Sequence, residues 1–183
     1  MATTMALTSN LRKLVRTLHI IVSVGWLGAV ASFFALSIVG LTSPDAETVR
    51  SVYIATGVIG WYLILPLSFV PLLITGPLLS LGTPWGLLRH YWIIAKLLIN
   101  LISTLVLLGH MKMISSLWRA AVAGTLSHAH YGMQLQMVIA SGAALVALLI
   151  ATVLAVYKPR GMTAYGWRKQ YEARPMPQTN DMA

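Results

Sequence analysis

TLHIIVSVGWLGAVASFFALSIVGLTSP, residues Thr17–Pro44, carries no formally charged side chain. Its apolar run lasts into Ser37–Leu41, far beyond the roughly 7–15-residue core of a secretory signal. At about 1.5 Å per residue it crosses the roughly 30 Å of a bilayer's hydrocarbon. A first membrane-spanning helix is therefore predicted over about Leu14 to Leu41, preceded by Arg12, Lys13 and Arg16 as a signal-anchor that stays attached.

The same reading extends along the chain. Ser51 to Leu88 is also free of charge. After the polar connector Thr42–Arg50, where Ser43 or Asp45 would cap the next helix, a second span is expected over about Ser51 to Leu79. An extra turn before it would start at Ala46. Pro66 and Pro71 lie inside this span and Gly76-Pro77 near its end. Proline lacks the amide donor and clashes with the preceding turn, so a bend is expected. Ser80–Gly86 reads as a turn in which Thr83 and Pro84 cap a new helix, whose spanning part covers Tyr91 to Leu108. His110 to Tyr131 reads as a connector with a short interfacial helix around Ser115–Val122. A fourth span runs from about Met133 to Val156, and Lys158, Pro159, Arg160 and Gly161 stop it. The expected fold is all-α: a four-helix integral membrane bundle over residues 1–157 with a proline-kinked second helix. Residues 158–183 form a polar tail, surface-bound or disordered.

Composition agrees. Of 183 residues 57% are hydrophobic and 9% charged, against roughly 25% charged in soluble domains. Lipid replaces the missing polar shell. The +9 net charge flanks the spans, so head groups and topology account for it and nucleic acid does not. Arg12, Lys13, Arg16, Arg89, Lys158, Arg160, Arg168, Lys169 and Arg174 fall on one side of a four-span bundle. Arg50, Lys112 and Arg119 fall on the other with Asp45 and Glu47. This bias predicts that both termini are cytoplasmic. Trp85, Trp92, Trp118 and Trp167 sit near the expected interfaces.

Several chemistries are excluded. There is no cysteine, hence no disulfide, thiolate catalysis, or Cys-held zinc or iron–sulfur cluster. No span contains Asp or Glu, and the phosphate-loop, dinucleotide and His-Glu-x-x-His zinc motifs are missing. The remaining candidates form two groups. On the expected inner side His19 shares a helix stripe with Ser23 and Trp26, His90 opens the third span, and Lys96 shares a stripe with Asn100 and Ser103. His19 reads either as a cofactor ligand or as a hydrogen-bonded structural histidine. His90 reads as its partner across the bundle or as a head-group contact. Lys96 reads as a snorkelling lysine or as the partner of an anionic cofactor group. On the outer side His110 and Met113 end the third span, and His128, His130, Met133 and Met137 begin the fourth. Imidazole and thioether suit iron porphyrin or copper, although methionine equally fills packing gaps.

Leu18-His19-Ile20-Ile21-Val22-Ser23-Val24-Gly25-Trp26-Leu27-Gly28 resembles the first helix of small bacterial four-helix membrane proteins, among them haem-associated membrane protoporphyrinogen oxidases and copper-resistance D-type proteins. Trp92-Ile93-Ile94-Ala95-Lys96-Leu97-Leu98 resembles their Trp-x-x-x-Lys-Leu helix. The whole chain, including Ser80–Trp92, is similar to an uncharacterised family of integral membrane proteins of this size. The resemblance implies b-type haem or copper handling in a bacterial inner membrane, with His19 at the first-helix histidine and Lys96 at the lysine. His110-Met111-Lys112-Met113 departs from the oxidases' arginine-rich motif, which argues against protoporphyrinogen oxidation. The leading expectation is a haem b protein that passes electrons to a quinone or membrane redox partner. Copper binding or permeation, and a structural subunit of a membrane complex or homo-oligomer, are the alternatives. Gly25, Gly28, Gly57 and Gly60 would allow close helix contact in any of them.

Overall fold

Small polar residues share the interior of this molecule with its apolar core, and its outer face is largely apolar. Ser37, Thr56, Ser68, Thr104 and Ser141 are buried, whereas Ile21, Val24, Ile139 and Val156 are exposed. That arrangement is what lipid as solvent demands: the outer face must be apolar, and close packing and internal hydrogen bonds hold the interior. Ser37 and Ser141 donate their hydroxyls to the carbonyls of Phe33 and Met137, one turn back, at 2.8 and 2.6 Å. The computed structural model describes residues 8–76, 78, 89–158 and 161–172.

Four helices are long and apolar enough to cross a membrane: α1 (Ser9–Thr42), α2 (Ala46–Thr75), α3 (Tyr91–Ala123) and α4, which is Tyr131–Tyr157 behind the 3-10 turn His128–His130. α1 packs against α2 and α4, and α3 closes the ring against α2 and α4. The core where they meet contains Trp26, Phe33, Tyr53, Ile114, Leu117 and Met137. Antiparallel neighbours are tied at both ends. His19 of α1 meets Thr75 of α2, while at the far end Arg50 of α2 donates its Nε–H to the carbonyl of Ala121 in α3 at 3.0 Å.

Local sequence explains the boundaries. Asp45 caps α2, its carboxylate accepting the Thr48 amide at 2.9 Å and the Thr48 hydroxyl at 2.6 Å; these two bonds hold its carboxyl below the ordinary range. The extra turn expected from Ala46 is present. α2 is not uniform: Gly60–Ile64 and Val70–Thr75 are π-helical, around Pro66 and Pro71, neither of which has an amide to donate.

α3 departs from expectation. The chain continues as one helix to Ala123 where a connector with a separate helix was predicted from His110. Met111, Ile114, Leu117 and Ala121 are buried along it, so an apolar stripe persists past Lys112 and Arg119 and keeps the helix packed on α2. It stops at Gly124, whose φ of 69° is accessible to glycine at little cost.

The segment after α4 is also more ordered than the sequence suggested. Lys158 turns the chain with a φ of 41°. Met162 then forms a backbone bridge with His90, the Thr163 amide donates to the Arg89 carbonyl at 2.9 Å, and α5 (Ala164–Glu172) follows. The Thr83–Pro84 cap, Trp85, Pro77, Arg160 and the tail with Arg174 lie outside the described residues.

Candidate functional site

His110 sits in the middle of α3, not at its end, because the helix runs on to Ala123. Its ring Nδ1 lies 2.8 Å from the carbonyl of Val106, one turn back. A carbonyl can only accept, so Nδ1 carries the proton and the neutral ring presents Nε2 as a base. The Gln136 side-chain nitrogen on α4 is 3.3 Å from that Nε2, the orientation an unprotonated nitrogen requires. A backbone-anchored imidazole of this kind is the arrangement in which the second nitrogen binds a metal or accepts a proton.

His110 and Gln136 line a half-open cavity of about 580 Å³ between α3 and α4, backed by Trp26, Phe33 and Ile64. Gly132, Ala140, Ala144 and Ala147 form part of its α4 wall; their small side chains leave the space. Ile102, Val106, Leu135 and Ile139 stand at the cavity and are exposed, so its mouth opens on the apolar flank of the bundle. Met137 contributes a buried side chain to the lining. The indole nitrogen of Trp26, on the back wall, is buried and has no acceptor among the described residues. Such a donor is costly to leave unmet.

The other predicted residues distribute as follows. Met133 packs on the core beside the cavity. His128 and His130 lie on the 3-10 turn, with His130 Nδ1 accepting the Ser127 amide at 3.3 Å in a capping box. The His130 ring is thus engaged within the turn, and His128 is exposed. At the opposite, basic end His19 Nδ1 is 2.7 Å from the Thr75 hydroxyl, a partner on α2 that the sequence did not suggest. His90 caps α3 and stacks edge-on to Trp92 with ring centres 6.4 Å apart. The Lys96 ammonium lies 5.8 Å from the Trp92 ring centre. Among the described residues no three His, Asp or Glu side chains converge as a metal-holding group. The structure thus joins His110 and Met137 at one cavity with Gln136 and Trp26. Gln136 went unnoticed because a lone amide on an apolar helix gives no spacing signal.

No family model, curated protein or solved structure matches the chain. The likeness to haem- and copper-associated membrane proteins therefore rests on the segments quoted above.

Proposed function

We propose that this chain is a membrane redox protein whose cavity between α3 and α4 would hold haem b, with His110 as a residue that would bind it. One observation carries the reading: the hydrogen bond to Val106 leaves the His110 Nε2 lone pair on the wall of an apolar cavity. The donor set fits the group, since imidazole and thioether are both axial ligands of haem iron and His110 and Met137 bring one of each. When bound, haem would supply one-electron chemistry. The chain's own residues do the rest. The Val106 carbonyl fixes the tautomer and ring plane of His110. Phe33 and Ile64 keep water from the back wall. The Gln136 amide occupies Nε2 while no ligand is there. The apolar mouth suits a quinone or another membrane redox protein as electron partner. We further read α2 as bent at Pro66 and Pro71, a reading the π-helical turns around them support. The basic end is assigned to the cytoplasmic face of a bacterial inner membrane, with both termini there, on the Lys and Arg bias.

Copper is the second reading, favoured by the same pairing of His110 with a methionine in a soft donor set. One experiment separates the two. Protein purified after expression with ample haem is expected to show b-type bands in a reduced-minus-oxidised spectrum. His110→Leu removes them and His19→Leu leaves them. A colourless protein that retains copper on metal analysis moves the assignment to copper, and one that retains neither overturns both.

A further inference from the structure

The basic end of the bundle contains a positive site that the redox reading does not use. Lys96 lies within the third span. Its ammonium reaches back one helical turn to Trp92, so the side chain runs toward the basic end. Lys158 ends α4 at that same level, because the residues just beyond it pair with the start of α3: Met162 with His90 and Thr163 with Arg89. The helices that carry them, α3 and α4, are packed neighbours. The Arg50–Glu47 ion pair lies at the far end. Lys96 and Lys158 thus lie at the same end of two adjacent helices, and among the described residues no carboxylate pairs with either.

Lys158 adds an independent observation. Its φ of 41° is a conformation that glycine adopts freely and a lysine adopts under strain. Backbone geometry alone favours glycine here, and the chain places a lysine instead. The adjoining α5 exposes Tyr165, Trp167 and Tyr171, aromatic residues of the kind that settle at head-group depth. Residues of this kind beside the lysines suit a position at the level of lipid phosphates.

We propose that Lys96 and Lys158 form a binding site for the phosphate of an anionic phospholipid in the leaflet at the basic end, with Trp92 as the floor beneath Lys96. The lipid phosphate would meet the two ammonium groups, neither of which pairs with a carboxylate among the described residues. Its glycerol and acyl chains follow the apolar flank of α3. This inference is independent of the cofactor proposed above.

The test uses the full chain in neutral detergent, with phosphatidylglycerol, phosphatidylcholine and inorganic phosphate as separate additions. Binding is read by native mass spectrometry and by the shift in Tm. Phosphatidylglycerol is expected to bind roughly tenfold better than phosphatidylcholine, about what one or two interfacial lysines provide. Lys96→Gln should erase the preference. Lys158→Gly should erase it as well while keeping or raising Tm without lipid, because the turn is relieved. Lys112→Gln, at the other end, should keep it. Equal binding of the two lipids, or a preference that survives Lys158→Gly, overturns the proposal. Inorganic phosphate reproducing the Tm shift overturns the lipid assignment.

Discussion

Four glycines read alike in the sequence and differ in the folded chain. A Cβ added at Gly57 would overlap the indole of Trp118, whereas one at Gly28 would meet nothing within 4 Å. Gly57→Ala is therefore expected to destabilise the protein by about 1–3 kcal/mol through overpacking. Gly28→Ala should be neutral, or stabilising by up to about 1 kcal/mol from helix propensity. Thermal unfolding of both variants in one detergent checks the contrast, and equal behaviour would remove Gly57 from the α2–α3 contact. Spacing showed that small residues were present but not which helix lay against them, since that depends on a partner far away in sequence. His110 illustrates the same limit. Its imidazole was visible as a candidate, but the Val106 bond that sets its tautomer depends on a rotamer that no sequence spacing encodes.

Elements were more legible than their ends. All four spans were expected, and α4 begins and ends within two residues of its predicted bounds. The sequence reads His110 to Tyr131 as a connector, whereas α3 continues through it to Ala123. The buried stripe through Leu117 and Ala121 keeps the helix against α2 beyond the expected span. The α2 cap was legible too, and it yields a pH prediction. Because the Asp45 carboxyl is held below its ordinary range, its contribution is complete above the unfolded carboxylate pKa of about 4. It is lost as pH falls through the lower, folded value. Asp45→Ala should thus lower Tm near neutral pH, and the gap to the parent protein should close on acidification. A gap that stays constant down to about pH 2 would mean that the carboxylate is not what caps the helix.

For the molecule as a whole, composition and unbroken apolar runs sufficed to predict an all-α membrane protein. The ring order of the helices and the cavity between α3 and α4 did not follow from them. Orientation is testable at this scale with little interference, since the chain has no native cysteine. Single cysteines at Ser127, beyond α3, and at Gln170, on α5, should label oppositely with a membrane-impermeant thiol reagent. In intact cells Ser127→Cys is expected to react and Gln170→Cys only after permeabilisation. The reverse pattern would invert the proposed topology.

The exposed rim of Ile102, Val106, Leu135 and Ile139 places the cavity's door in the plane of the bilayer. A hydrophobic occupant would arrive by lateral diffusion, already partitioned out of water. Its occupancy would then follow its mole fraction among the surrounding lipids, not its aqueous concentration. Adding detergent at fixed amounts of protein and occupant should empty the site by diluting the occupant within the apolar phase, even though the molar concentrations of protein and occupant in the tube stay the same.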